Sequence, residues 1–223
     1  MNDMKIGELL NLDETIAGEL FEGKEYPWDV LDGIKDFILK IGPTLPEEIY
    51  EKRGEDVFVA RSAKIFSSAY IGGPCIIGEN TEVRQCAFIR GTAIVGNNCV
   101  VGNSTELKNV ILFNNVQVPH YNYVGDSVLG FKAHMGAGAV TSNVKADRTN
   151  VTVMYDGSRI ETGRRKFGAI LGDNVEVGCN SVLNPGTVVG RRASIYPLSM
   201  VRGFVPADHI FKKADDVVLR KQV

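Results

Sequence analysis

Nine branched aliphatic residues stand six apart without a break: Val59, Ile65, Ile71, Ile77, Val83, Ile89, Val95, Val101 and Leu107. Four residues after each comes a mostly small one: Ala63, Ala69, Cys75, Thr81, Ala87, Ala93, Cys99 and Thr105, then Ile111. The rhythm continues through Leu112, Val118, Val124, Leu129 and Met135, with slips of one residue before Leu112 and before Leu129. It runs cleanly again at Leu171, Val177, Leu183, Val189, Ile195 and Val201. A fixed period of six predicts stacked coils. One hexapeptide cannot bury its own aliphatic face. A stack buries a continuous column and closes backbone hydrogen bonds between coils about 4.8 Å apart. The pattern therefore predicts an all-β chain, a parallel β-helix over residues 56–206.

Two stretches depart from the rhythm. From Pro27 to Ile41, apolar residues fall at Trp28, Val30, Leu31, Ile34, Phe37, Ile38 and Ile41, the spacing of an amphipathic helix. Pro27 suits its first turn and Gly42-Pro43 its end. A shorter helix is expected from Asp13 to Leu20. Residues 1–55 are thus read as a helical cap over the open end of the prism, and 207–223 as a C-terminal extension. The second departure is an inserted loop, 142–170. Within it, Val151-Thr152-Val153 and Arg159-Ile160-Glu161 flank Tyr155-Asp156-Gly157, which reads as a β-hairpin. A long insertion in a compact repeat is more often functional than idle, and a reach to a neighbouring prism is expected.

Composition narrows the function. Hydrophobic residues make up 44% and the net charge is −2. A pI near 6.0 gives no electrostatic pull toward nucleic acid or an acidic membrane surface. The 24 glycines and 8% aromatics fit many turns and small inward side chains. The first twenty residues carry scattered acids and no apolar run, unlike a signal peptide, and no stretch is long enough to span a membrane. A soluble cytoplasmic protein is expected. Cys75, Cys86, Cys99 and Cys179 form no CxxC pair. Cys75 and Cys99 fall at small inward positions and read as reduced, packed thiols. No metal site is expected.

If three hexapeptides make a coil, residues 18 apart stack, or 17 apart across a slip. Arg90 and Lys108 stack in this way and face outward. Two stacked cations repel unless solvent or an anion separates them, so the pair reads either as solvated surface or as a phosphate clamp. In a second column, His120 is followed by Ala137, Cys179 and Pro197. One histidine above small residues describes a shallow groove that ends at a base.

These patterns resemble the hexapeptide-repeat acyltransferases, and the resemblance implies a left-handed, triangular β-helix. The segment from Arg90 to about Val205 is similar to the acetyltransferase domain of bacterial bifunctional N-acetylglucosamine-1-phosphate uridylyltransferase/glucosamine-1-phosphate acetyltransferases. It looks still more like the acetyltransferase part of archaeal sugar-1-phosphate nucleotidylyltransferases. The likeness is carried by His120-Tyr121-Asn122-Tyr123-Val124-Gly125-Asp126 (H-x-x-Y-x-G-D), by Gly136-Ala137-Gly138-Ala139-Val140-Thr141-Ser142-Asn143, and by Gly163-Arg164-Arg165-Lys166-Phe167-Gly168-Ala169.

The resemblance implies an N-acetyltransferase that uses acetyl-CoA and a hexosamine 1-phosphate. In it His120 is the general base, Tyr123 and Asn143 place the acceptor, and Arg90, Lys108 and Lys166 hold its phosphate. The Ala137 N–H faces the thioester oxygen, and Lys212 and Lys213 meet the coenzyme diphosphate. His134, Cys179 and Pro197 stand where bacterial relatives carry an asparagine, a serine and an alanine. His134 remains an acceptor ligand, while Cys179 and Pro197 line the coenzyme track. The resemblance also implies a homotrimer. Residues 1–55 are too short for the nucleotidyltransferase half and lack its glycine-rich loop, so no nucleotidyl transfer is expected of this chain.

Two other readings stay open. A γ-class carbonic anhydrase would need three zinc histidines in close register, and only His120, His134 and His209 are present. A non-catalytic prism that binds nucleotide sugars, or that scaffolds a separate nucleotidyltransferase, is the other.

Overall fold

A computed structural model describes residues 2–220. Met1 and the last three residues of the expected 207–223 extension lie outside the described residues. The repeat forms a three-walled parallel β-helix. The first wall stacks Val57–Ala60, Cys75–Ile77, Ala93–Val95, Ala169–Leu171, Thr187–Val189 and Phe204–Val205 with the later halves of Glu106–Leu112 and Tyr123–Leu129. The second wall runs from Lys64–Ile65 through Val100–Asn103, Gln117–His120, His134–Met135, Glu176–Val177 and Ser194–Ile195 to His209–Lys213. The third holds Tyr70–Ile71, Phe88–Ile89, Val140–Thr141, Val182–Leu183 and Met200–Val201 with the early halves of the two long strands. Register follows the sequence period: Ile77 pairs with Val95 and Glu82 with Val100, 18 residues on, whereas Leu107 pairs with Val124, 17 on. The aliphatics at period six line the interior and, apart from the partly buried Ile65 and Ile71, are almost fully buried.

The helical segment does not sit on the open end. Side chains alternate across a strand, so the middle residue of each first-wall strand points away from the prism. These outward residues are Phe58, Ile76, Ile94, Ile111, Val128, Ile170 and Val188, all apolar and all buried. The N-terminal segment lies along this wall and covers those of the earlier and middle coils. Its one longer helix, Ile34–Ile41, packs on Ala93–Val95 and Glu106–Leu112. Trp28 meets Phe167 with ring centroids 5.5 Å apart, and Phe21 meets Phe113 at 5.9 Å. Further along, Asp173 N–H donates to Leu9 O (2.9 Å) and Asn11 N–H to Asp173 Oδ2 (2.8 Å).

Nor is the helix continuous from Pro27. Pro27–Val30 is a 3-10 turn, closed by Tyr26 N–H donating to Asp29 Oδ2, and Gly33 precedes the true helix. The helix expected from Asp13 to Leu20 is two 3-10 turns, Leu12–Glu14 and Gly18–Phe21. The Thr15 hydroxyl takes the Ala17 N–H and breaks the run.

Antiparallel strands end the stack instead. Tyr50–Gly54 pairs with Val57–Ala60 at the start, and Asp216–Leu219 with His209–Lys213 at the finish. Both shield an edge that would otherwise pair with another chain. Ile210 and Phe211 pair with Ser194 and Ile195, so the helical stack runs past residue 206 into the expected extension. The inserted hairpin, Thr152–Tyr155 with Ser158–Glu161, packs on Thr187–Val189 and Phe204–Val205 of its own first wall. Val151 and Val153 are fully buried there. The hairpin thus folds back where a reach to a neighbour was expected, because the outward apolar residues of the last coils also need cover.

Trp28→Ala is expected to cost about 3–5 kcal/mol, since the indole is 1% exposed and stacks on Tyr26 with centroids 4.5 Å apart. A denaturant titration measures it. An unchanged midpoint would mean the segment is dispensable to the prism.

Candidate functional site

The corner between the second and third walls carries the column of His120, Ala137, Cys179 and Pro197. Gly138 N–H donates to His120 O (3.0 Å), Asn180 N–H to Ala137 O (2.8 Å) and Leu198 N–H to Cys179 O (2.9 Å). His120, Ala137, Cys179 and Pro197 therefore stack coil upon coil. Lys213, two residues past the Ile195–Phe211 pair, continues the column below Pro197. Lys212 lies on the second wall, with its Nζ 3.8 Å from Asp216. The His120 ring is exposed, as are Cys179 and Pro197, while Ala137 is half-buried. Among the described residues, the Ala137 N–H has no hydrogen-bond partner, although its neighbours Gly136 and Gly138 both donate along the coil. The corner turns through left-handed backbone at Tyr121 (φ 51°), Gly138 (φ 72°) and Asn180 (φ 54°).

All four cysteines are free. Burial pushes the Cys75 and Cys99 thiols up to about 12, leaving them unreactive. Cys86 and Cys179 are exposed.

Across the third wall the acceptor candidates converge on Asp126, a residue of the H-x-x-Y-x-G-D motif to which the sequence assigns no role. Its carboxylate is 5% exposed. Lys108 Nζ donates to both carboxylate oxygens at 3.0 Å, Asn109 Nδ2 to Oδ1 at 2.9 Å, and Asn143 Nδ2 to Oδ2. The same Asn143 amide donates to Tyr123 Oη (3.3 Å). The slips in the repeat build this arrangement. The third-to-first corner is one residue shorter at Asn109 and Asp126, which turn it with φ of 55° and 48°. Those short corners point Asp126 at Lys108 and Asn143. Gly125 leaves room for the tyrosine, since a Cβ there would lie 2.5 Å from Tyr123 Oη and 2.9 Å from Asn143 Nδ2.

Arg90 and Lys108 do stack: Arg90 N–H donates to Leu107 O, directly before Lys108. Neither is a free cation, however. Arg90 Nη1 lies 2.9 Å from Glu106 Oε1, and Lys108 is held by Asp126. The like-charge column of the sequence reading is thus neutralised by carboxylates one coil on. The register could have shown both, since Glu106 is 16 residues past Arg90 and Asp126 is 18 past Lys108. Burial, then the charges of Asp126 and Glu106, hold the Tyr123 phenol above its usual range. It stays neutral and able to donate a hydrogen bond.

The insertion returns its chain beside the site at Lys166. Phe167 N–H donates to Asn143 O (3.0 Å) and Gly168 N–H to Asp126 O (2.8 Å), which sets the Lys166 backbone beside Asn143. Its exposed side chain has no carboxylate partner among the described residues. Arg164 of the same motif is structural. It pairs with Asp32 at 2.5 Å and donates to Asp29 O, tying the insertion to the N-terminal segment. His134 stands apart on the second wall, where Nδ1 lies 2.7 Å from Glu176 Oε2. It is not joined to the Tyr123–Asn143–Asp126 network. His209 lies in the last coil, against Ala207 O. Among the described residues, no helix is long and apolar enough to cross a membrane.

Residues 73–192 match the family model of the GMPPB C-terminal domain. A bifunctional sugar-1-phosphate nucleotidylyltransferase/acetyltransferase of Sulfurisphaera tokodaii is 38% identical over 105 residues, which is 47% of this chain and 26% of that protein. A bifunctional protein GlmU of Caldanaerobacter subterraneus subsp. tengcongensis is 34% identical over 165 residues, 70% of this chain and 32% of that protein. The chain thus spans about a quarter to a third of the length of these curated relatives. Among solved structures, a point mutant of the Bacillus cereus N-acyltransferase AntD, in complex with dTDP-4-amino-4,6-dideoxyglucose and coenzyme A, is 15% identical. It covers 79% of this chain and 93% of that one, with a TM-score of 0.41.

Proposed function

The chain belongs to the GMPPB C-terminal domain family, and from that premise and the corner geometry we propose that it moves the acetyl group of acetyl-CoA onto the amine of a phosphorylated aminosugar. The observation that carries the reading is the column of His120, Ala137, Cys179 and Pro197, with an exposed imidazole at one end and Lys213 at the other. The pantetheine arm lies along the small residues, and Lys213, with Lys212 beside it, meets the coenzyme diphosphate. The sugar-1-phosphate nucleotidylyltransferase/acetyltransferase relative supports the acceptor class.

The chemistry follows from the groups present. An amine is nucleophilic only when unprotonated, and His120 accepts the proton it loses on attack. The nitrogen bonds to the thioester carbon and the carbonyl oxygen takes up negative charge. The unpartnered Ala137 N–H is the donor for that oxygen. The C–S bond then breaks, and the proton on His120 neutralises the departing thiolate. Asn143 and Tyr123 orient the sugar, with Asp126 and the Tyr123 hydroxyl holding the Asn143 amide nitrogen. Lys166 meets the phosphate. Arg90 and Lys108 act here by holding Glu106 and Asp126 around Tyr123.

Self-association into a trimer is supported by the third wall, whose outward column leaves Tyr70, Phe88, Val182 and Met200 exposed. Uncovered apolar residues in one column suit a partner surface. Four free thiols suit a reducing compartment such as the cytoplasm.

The test is thiol release from acetyl-CoA with a panel of phosphorylated aminosugars, read together with mass analysis of the sugar. Acceptor-dependent release with an N-acetylated product is expected. Binding of the sugars with no release from any of them would leave a binding prism instead.

A further inference from the structure

The insertion encloses a cavity of about 510 Å³ against the lower coils. Its lining includes Ser142 and Val144, the residues on either side of Asn143, so its upper edge adjoins the backbone that carries that amide. Ser142, Asn184 and Arg202 occupy one outward row of the third wall, the same row that carries Arg90 and Lys108 higher up. Lys145 and Arg159 of the insertion supply the facing side. Gly203 seats the hairpin there: its φ is 78°, and a Cβ would lie 2.8 Å from Met154 O.

The electrostatics differ from those of the upper column. Arg90 and Lys108 are each matched by a carboxylate. Among the described residues, neither Arg159 nor Arg202 has a carboxylate within salt-bridge reach, and Lys145 leans on Asp147 at 3.5 Å. Three cations against one carboxylate leave the cavity with an excess of positive charge, whereas a phosphate monoester carries about −1.5 to −2. Size separates a single phosphate from something larger. Sites for whole small molecules run about 300–1,000 Å³, and this cavity lies within that range. Its lining is mixed: Val144, Met154 and Pro185 offer apolar surface beside the guanidinium groups. Guanidinium forks match phosphate oxygens, and a flat base is at home on apolar side chains.

We infer that the cavity holds the nucleoside diphosphate of the acceptor, so that the substrate is a nucleotide-linked aminosugar. The sugar amine is presented at Asn143 and Tyr123 while the diphosphate spans Lys166 to Arg159 and Arg202. The inference rests on the proposed acetyl transfer for the placement of the sugar, but the cavity can be tested without turnover.

The intact protein is titrated by calorimetry with uridine diphosphate, thymidine diphosphate, pyrophosphate and hexosamine 1-phosphate, then with the corresponding nucleoside-diphosphate hexosamines. The titrations are repeated on Arg159→Gln, Arg202→Gln and the double variant. A nucleoside diphosphate should bind more tightly than pyrophosphate or hexosamine 1-phosphate. Each substitution should weaken it about tenfold or more, the scale of a charge-assisted phosphate contact. Both arginines are exposed and carry no ion pair among the described residues, so thermal midpoints should not move; Lys145→Met gives a third variant on the facing side. Nucleoside diphosphates that bind no better than pyrophosphate, or equally well to the double variant, overturn the inference. So does acetylation of hexosamine 1-phosphates alone, with no transfer to nucleotide-linked sugars, although acetyl transfer then stands. Loss of nucleotide binding in the double variant, with no acetyl transfer by the wild type to any sugar, upholds the cavity and removes the transfer.

Discussion

His120→Ala is expected to lower kcat about 10²- to 10⁴-fold, the range a positioned base contributes, while leaving the affinity for coenzyme A within about twofold. The split is the informative part. The ring is exposed, and among the described residues its side chain makes no hydrogen bond, so its removal opens no cavity and strands no partner. The backbone of residue 120 keeps its place, since Gly138 and Asn122 bond to main-chain atoms there. Stability should therefore hold, and any large loss must come from proton transfer. Initial rates with saturating acetyl-CoA, and calorimetry with coenzyme A, separate the two. An equal loss in binding and turnover would mark His120 as a contact to the coenzyme. Retained turnover would remove it from the mechanism.

Asp126→Ala is expected to lower both stability and turnover. The carboxylate receives Lys108, Asn109 and Asn143 at once from a nearly closed position. Removing one member of a buried ion pair costs about 3–5 kcal/mol, because the remaining charge keeps its desolvation cost without a partner. Lys108 retains some contact with solvent, which places the loss near 3 kcal/mol, on the order of a 10 °C fall in Tm for a chain of this size. Turnover should fall as well, because the Asn143 amide loses the acceptor that fixes which way it points. The paired variant Lys108→Met with Asp126→Leu discriminates between the two effects. Replacing a buried pair by apolar groups is often neutral for stability, so Tm should largely recover, while kcat should not. Recovery of both would reduce Asp126 to a packing residue.

The prism is legible in the sequence because its inward positions obey a strict period. Val59 to Leu107 keep six-residue spacing, and every departure has a structural counterpart. The single-residue slips mark the shortened corners that hold Asn109 and Asp126. The covering of the first wall also leaves a signal, one that inward spacing alone does not register. Every third hexapeptide carries an apolar residue at its outward position, as in Cys75-Ile76-Ile77, Ala93-Ile94-Val95 and Ala169-Ile170-Leu171. A strand apolar on both faces is buried on both faces. That 18-residue recurrence points to a cover along one wall, whereas the helical spacing by itself suggests a cap on one end. Helix spacing from Trp28 to Ile41 does report which residues are buried. It cannot report that Gly33 and the Asp29 side chain break the run into a turn and a helix.

At the site, the column of His120, Ala137, Cys179 and Pro197 follows from stacking arithmetic alone. The charge state of the Arg90–Lys108 column does not, because a cation's partner depends on the coil below it as well as on its own position. His134 shows the same limit. Its spacing places it on the second wall, but only the coordinates reveal that Glu176 occupies its ring nitrogen.

The most direct test of the coenzyme track is the reactivity of its own thiol. Cys179 lies in the column below Ala137, and Cys86, the other exposed cysteine, sits several coils away. Both should react with a small alkylating reagent in the native protein, identified by peptide mass. Coenzyme A at saturation should shield Cys179 and leave Cys86 unchanged. Equal alkylation of Cys179 with and without bound coenzyme would contradict the placement on which the proposed transfer depends.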